Sequence, residues 1–269
     1  MLLSAVAGAV VLQSGGVTLA LKPPTGRSVN FAQTGRIDRK AGSSSPTFME
    51  YTVKFGLQRA PGSAVTLVET IREAGIFPSA NTEGGEDIPK LAKGMQGLQL
   101  TSTYDASGFA SNRKASGGGP GAFDLYQMTI GEPLGFYGLV FPGRAISKDS
   151  SWRSRIDLTQ AARAAAPPGA TTTVGNPIPV TYRMVASSGG RVTIESITKG
   201  STVVTYRSTD SDGKPVRQSM TISIDGKSTL IFEVSTGLPV KVETQSTSST
   251  RAGDRVTEIK TKSTLTREG

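Results

Sequence analysis

The sequence predicts a mostly β fold, built from long antiparallel meanders that form curved, half-barrel-like sheets with one or two short helices. Apolar residues alternate with Ser, Thr, Lys and Arg along much of the chain. In the second half, glycine-containing turn signals recur at roughly the 8–12-residue spacing of all-β proteins. Hydrophobic residues make up only 36%, which suits sheets with one solvated face.

Composition narrows the function classes. The 269 residues include no His and no Cys, which excludes a Ser-His-Asp triad, a thiolate nucleophile, disulfides and Cys-ligated zinc. We therefore expect a protein that is not an enzyme and has no cofactor or metal. The net charge of +9 favours anionic partners such as surface polymers. Nucleic acid is not expected, because the cations are not interleaved with aromatic residues.

Residues 1–20 are interpreted as a signal segment or a first strand. The apolar run Leu2–Leu12 is too short to span a bilayer but has the length of a secretory h-region. Small residues at Thr18 and Ala20 place a cleavage point after Ala20, so the exported form begins near Leu21. A packed strand and a membrane anchor remain alternatives. The first interpretation predicts an exported protein, periplasmic or extracellular, with no transmembrane helix.

Residues 21–115 are predicted as a first β lobe. Its clearest strand alternates apolar residues from Met49 to Leu57 with polar ones. A short helix is predicted over 86–96, because acidic residues and a proline begin it and apolar residues form one stripe. A further strand begins at Leu98 and ends at the turn 105–108.

Residues 116–150 are predicted as a connection rich in glycine and aromatic residues. Ser111–Gly121 reads as a loop, and Phe123–Met128 as a helical turn or a strand. The aromatic part of the connection either lines the mouth of a cavity or fills the core. Its candidate ligand-facing residues are Phe136, Tyr137 and Phe141.

Residues 151–269 are predicted as a second β lobe with an Ala/Pro-rich loop at 161–179. Trp152 is expected to anchor the core of this lobe. Asp225-Gly226 predicts a two-residue hairpin with a positive φ at Gly226. One face of the meander collects the apolar side chains Met220, Ile222, Ile224, Leu230, Phe232, Val234, Val240 and Val242.

Glu69 departs from the usual outward orientation of strand carboxylates. It shares parity with Val65, Leu67 and Ile71, so it should point inward, where a carboxylate needs partners and its pKa rises. The functional interpretation is a cavity acid or ligand contact. The alternative is a strand end, a bulge or a structural pairing with Arg or Tyr.

Short motifs in the chain are incomplete. Gly226-Lys227-Ser228 lacks the first glycine and the helix of a phosphate loop. Asp210-Ser211-Asp212-Gly213 lacks the carboxylate that ends a calcium loop. Neither predicts a site.

The order of elements, with the segments Phe141-Pro142-Gly143 and Asp149-Ser150-Ser151-Trp152, resembles bacterial exported two-lobed β-proteins of uncharacterised function. Their sheets are similar to the lipoprotein-carrier half-barrels. In that family Gly-Asp-Ser usually precedes the tryptophan, and this chain departs from the pattern at Lys148. The resemblance implies an envelope location and an apolar concave cavity.

The sequence thus predicts a non-catalytic, exported cell-envelope protein that holds a hydrophobic or lipid-like ligand on a concave apolar sheet face. The alternative is a structural or assembly subunit of a surface or extracellular complex, with envelope proteins as partners, that uses exposed β-strand edges. The candidate ligand-facing residues are Glu69, Phe136, Tyr137, Phe141, Met220, Ile222 and Phe232.

Overall fold

The computed structural model describes residues 16–63, 65–129, 136–209, 212 and 214–269. The apolar run Leu2–Leu12 lies outside the described residues, as does most of the calcium-loop-like Asp210–Gly213. Within the described chain the fold is mostly β, which confirms the predicted class. Its strands are β1 (Val29–Ala41), β2 (Thr47–Arg59), β3 (Thr66–Pro78), β4 (Gln99–Tyr104), β5 (Ala110–Ser116), β6 (Ser151–Ile156), β7 (Thr171–Val174), β8 (Ile178–Ser188), β9 (Arg191–Thr209), β10 (Pro215–Glu233), β11 (Pro239–Ala252) and β12 (Arg255–Arg267).

The described strands form one open antiparallel sheet of twelve. Its order is β5-β4-β3-β2-β1-β12-β11-β10-β9-β8-β6, and β7 pairs separately with β9. The first and last strands are neighbours, with Gln33 of β1 opposite Leu265 of β12. The strands of both predicted lobes therefore belong to one hydrogen-bonded sheet.

Alternation sets the inner face of the sheet. In β2 the side chains of Tyr51, Val53, Phe55 and Leu57 are buried, as the sequence pattern predicts. In β9 and β10, Val192, Ile194, Leu230 and Phe232 are buried on the same face. Together they form the main core, which lies on the concave side.

Three short helices occur in the described residues: α1 (Ile88–Gly94), α2 (Ala122–Thr129) and α3 (Thr159–Ala164). α1 confirms the helix predicted over 86–96, with a proline in its first turn and Met95 buried at its end. Phe123–Met128, predicted as a helical turn or a strand, lies within α2 and is helical. α1 packs on β3 and against α2, so these helices cover one end of the concave face.

Two predicted loops contain regular structure. Ser111–Gly121 begins within β5, a polar edge strand that pairs with β4. The stretch 161–179 includes most of α3, all of β7 and the start of β8. In the second stretch, the short β7 pairs with residues 204–207 of the 19-residue β9. These residues lie beyond the part of β9 that pairs with β8, so β7 can pair with the same edge of β9.

The prediction of a hairpin at Asp225-Gly226 is wrong. Both residues lie inside β10 and are paired on both sides, Gly226 with Thr198 of β9 and with Ser246 of β11. Gly226 has no positive φ. The local turn preference is overridden because two neighbouring strands pair with β10 along nearly its whole length. The turn signals at 188–190, 236–237 and 253–254 do lie at strand ends.

Candidate functional site

A cavity of about 340 Å³ lies on the concave face and is partly open to solvent. Inward side chains from strands at both ends of the sheet order contribute to it, Tyr104 from β4 and Val180 from β8 among them. Strands so far apart in the sheet can reach one cavity only because the sheet is strongly curved. We call this space the concave cavity.

The wall of the concave cavity combines three kinds of side chain. Its aromatic part consists of tyrosines, its aliphatic part comes from β6, β8 and β10–β12, and small hydroxyl residues on β9–β12 make up most of the rest. The residues are Gln33, Tyr51, Glu69, Tyr104, Arg113, Tyr126, Tyr137, Gly138, Ile156, Val180, Tyr182, Ser196, Thr198, Ile224, Gly226, Lys227, Ser228, Val242, Thr244, Ser246, Thr261, Ser263 and Leu265.

Glu69 lies among apolar side chains of the sheet. It lies on β3 between Leu57 of β2 and Leu100 of β4, both buried. Leu67 and Ile71, its inward neighbours on β3, are also buried. Glu69 itself is 7% exposed, so it points inward as its parity predicts.

Two tyrosine hydroxyls hold the Glu69 carboxylate. Tyr126 of α2 donates to Oε1 at 2.8 Å, and Tyr137 donates to Oε2 at 2.8 Å. Burial raises the pKa of the Glu69 carboxyl, while the two hydrogen bonds and the positive charge of Arg113 act in the opposite direction. Burial, and then the Glu69 charge, raise the pKa of both tyrosines well above the ordinary value. The tyrosines therefore stay protonated as donors.

Tyr137 reaches Glu69 from a tight turn, Phe136–Leu139, which we call the cap turn. Phe136 and Leu139 exchange backbone hydrogen bonds, and φ is positive at both central residues, 49° at Tyr137 and 87° at Gly138. Positive φ at both central positions is typical of a type I′ turn, which favours glycine at the second of them.

The ring of Tyr137 packs over the sheet. It stacks on Phe55 at 5.9 Å and on Phe31 at 6.1 Å, measured between ring centroids. Trp152 of β6 donates to the Val140 carbonyl oxygen at 2.7 Å and stacks on Tyr182. The cap turn thus packs on β1 and β2, while Val140 just after it is held by β6, and Tyr137 and Gly138 form part of the cavity wall.

Of the seven candidate ligand-facing residues, the structure brings Glu69 and Tyr137 together at the cavity wall. Phe136 is buried at the start of the cap turn, Phe141 is buried just after the turn, and Phe232 is buried elsewhere in the main core. Met220 and Ile222 pack near α3 in a second apolar cluster around Val204 and Tyr206. Among the described residues, the cavity wall includes none of these other five.

Sequence reasoning missed Arg113 and the convergence of tyrosines. Tyr51, Tyr104 and Tyr182 each share parity with buried residues of their strands, so their inward orientation could have been predicted from the sequence. The chain has six tyrosines, and five line this cavity. Their meeting depends on which strands are neighbours across the curved sheet, and alternation does not encode that.

Glycine makes room for one of these tyrosines. A Cβ built on Gly35 of β1 lies 2.5 Å from the ring of Tyr51, so the ring lies directly over the glycine backbone. Any larger residue at this position would displace a cavity wall. Gly226 similarly leaves an unfilled inward position beside Ser246.

Among the described residues of the cavity wall, Glu69 is the one carboxylate, whereas a two-carboxylate glycosidase needs a second. In the described chain no three acidic residues group as a metal site. Nor does any described helix have the length and apolar character to cross a membrane.

No protein-family model matches the chain, and no curated protein does. A solved structure titled "Lipid-protein interactions in lipovitellin" is similar, with a TM-score of 0.48 and 9% sequence identity over 92% of this chain. The match covers 26% of that chain, so this protein spans about a quarter of its length. The predicted relation to bacterial exported proteins is not among these findings.

Proposed function

We propose that the protein binds a small amphipathic or lipid-like molecule in the concave cavity and acts as a non-catalytic binding protein of the cell envelope. The cavity itself carries this proposal. Its volume of about 340 Å³ lies in the range of small-molecule sites, about 300–1,000 Å³. A wall that joins aliphatic side chains, tyrosine rings and hydroxyls suits a molecule with an apolar and a polar end.

The envelope location is part of the proposal and is supported by the sequence. The apolar run at the N-terminus has the length of a secretory h-region. The non-catalytic role is supported by the lack of His and Cys in the sequence and by the single carboxylate in the described cavity wall.

Assembly through strand edges has less support. The described sheet ends at β5 and β6, which carry Arg113 and Lys114, and Arg153 and Arg155. Charged side chains on short edge strands are a common protection against edge-to-edge pairing. We therefore prefer the ligand-binding function.

Uptake of a neutral apolar dye, N-phenyl-1-naphthylamine, tests the proposal. The folded protein should enhance the dye's fluorescence, and a ten-carbon alcohol should displace the dye. Ser246→Phe fills the cavity beside Gly226 and should weaken dye binding about tenfold or more, equivalent to about 1.4 kcal/mol.

Thr247→Phe is the matched control. It places the same ring on the convex face of the same strand and should leave dye binding unchanged. Circular dichroism and thermal melting would establish that both variants fold. No dye uptake by the folded native chain, or equal weakening by both variants, would refute the binding function.

A further inference from the structure

The polar end of the concave cavity is specific enough to indicate the head group of the ligand. We infer that the ligand carries an uncharged, hydroxyl-bearing head group that donates a hydrogen bond to Glu69, and that the cavity discriminates against carboxylate and ammonium head groups. This inference rests on the proposed ligand-binding function. It follows from the hydrogen-bonding capacity of Glu69, the charge opposite it and the chemistry of the remaining wall.

Glu69 retains room to accept hydrogen bonds. Each carboxylate oxygen accepts one tyrosine hydroxyl at 2.8 Å, and an ionised carboxylate offers about four acceptor sites in all. The residue belongs to the cavity wall, so the remaining sites are within reach of a bound molecule. A group that donates hydrogen bonds, such as a hydroxyl, satisfies them, whereas a ligand carboxylate would meet like charge in apolar surroundings.

Arg113 argues against a cationic head group. It also lines the cavity, and its positive charge favours the ionised form of Glu69. Its Nε donates to Ser102 Oγ at 3.1 Å, which fixes the side chain on β4, the strand next to that of Glu69. Arg113 thus offsets part of the Glu69 charge, and an ammonium group in the cavity would also meet the guanidinium charge. Lys227, the other charged residue of the wall, has the parity of the convex face.

The rest of the polar wall is uncharged. Four strands, β9–β12, present small hydroxyl side chains to the cavity, among them Ser196, Ser228, Thr244 and Ser263. A hydroxyl both donates and accepts, so such a wall matches a head group with several hydroxyls. Tyrosine faces beside them add flat apolar surface. A glycerol or sugar head on a single alkyl chain fits this combination.

Displacement of N-phenyl-1-naphthylamine by three ten-carbon amphiphiles tests the inference. The competitors are monodecanoylglycerol, decanoate and decyltrimethylammonium, each below its micelle concentration and at about pH 8, where decanoate is ionised. We expect the glycerol ester to displace the dye at a concentration at least about tenfold lower than either charged amphiphile. Equal or better displacement by decanoate or by the ammonium compound would overturn the inference.

Two variants locate the discrimination. Glu69→Gln removes the charge but keeps polar contact with the tyrosines, so decanoate should come within about threefold of the glycerol ester. Arg113→Gln removes the opposing charge, so the ammonium compound should gain about tenfold. Dye binding that persists while neither variant alters the head-group order would refute the role of these residues. Loss of dye binding by the native chain would instead refute the proposed function. If one variant fails to fold, the other variant and the displacement measurements on the native chain still test the inference.

Discussion

Glu69 occupies a position that its strand otherwise gives to aliphatic side chains. Removing a carboxylate from water costs several kcal/mol unless partners compensate. Two tyrosine hydroxyls compensate part of this cost, since hydrogen bonds to charged groups contribute about 1.5–3 kcal/mol each. The donors come from α2 and the cap turn, far from β3 in sequence. One residue therefore links the cavity wall to the elements that cover it.

The stability of the protein should depend on the ionisation of Glu69. Its folded-state pKa is raised above the ordinary value of 4.5, so the folded state binds the proton more tightly than the unfolded state does. The stability that this group contributes is fully present below pH 4.5 and is lost as pH rises through the folded-state pKa. Each unit of the rise corresponds to about 1.4 kcal/mol.

Urea titrations of the native chain and Glu69→Gln, from about pH 4 to about pH 8, would measure this dependence. The native chain should lose stability relative to the variant as pH rises. Thr202→Val is the control, because it alters a buried hydroxyl that finds no hydrogen-bond partner among the described residues and does not titrate. Thr202→Val should change the free energy of unfolding by the same amount at every pH, so that its pH dependence keeps the slope of the native chain. A constant difference between native chain and Glu69→Gln would contradict the prediction.

Single elements show where sequence patterns determine structure. Alternation correctly predicts the inner faces of β2 and β10, because a strand's side chains point alternately to opposite sides. The same rule argues against the hairpin at Asp225-Gly226. In a two-residue hairpin, Ile224 and Lys227 would face the same side, yet the apolar series continues at Leu230 and Phe232, with the parity of Ile224. The alternation of apolar residues therefore predicts the course of β10 more reliably than the Asp-Gly pair does.

The segment just before β1 is a second element that the sequence leaves ambiguous. Val17 exchanges two backbone hydrogen bonds with Ile146, Leu19 is 3% exposed in the core, and Lys22 donates to the Thr236 carbonyl oxygen. Cleavage after Ala20 would remove the first two of these residues. The apolar character read as part of a signal segment therefore also serves packing.

Truncation would separate these roles. A chain that begins at Leu21 should be less stable than one that begins at Gly16 by about 2–5 kcal/mol, since Leu19 leaves a cavity in the core. Leu19→Ala in the longer chain should show most of the same loss. Denaturant titration measures the difference. Equal stability of the two chains would contradict the packing of this segment.

At the scale of the whole molecule, the sheet path decides what the sequence could not. The alternation of apolar and polar residues predicts two β lobes and a covered concave face, since a buried apolar face needs a cover. Alternation does not predict the pairing of β1 with β12, because hydrogen bonding between strands at opposite ends of the chain carries no local signal. That pairing brings the tyrosines of both halves around one cavity. The site is therefore a product of topology more than of any motif.

The same topology predicts that the two halves unfold together. Leu265 of β12 is buried beside Gln33 of β1 and Val242 of β11, and Arg72 of β3 pairs with Glu268 at 2.7 Å. Leu265→Ala, a core truncation that typically costs about 2–5 kcal/mol, should therefore destabilise both halves to the same extent. Fluorescence of Trp152 reports the second half, and hydrogen exchange of β2 amides reports the first. The two probes should give one coincident transition in the native chain and equal shifts in the variant. Separate transitions, or a shift confined to Trp152, would mean that the lobes are independent folding units joined only by edge pairing.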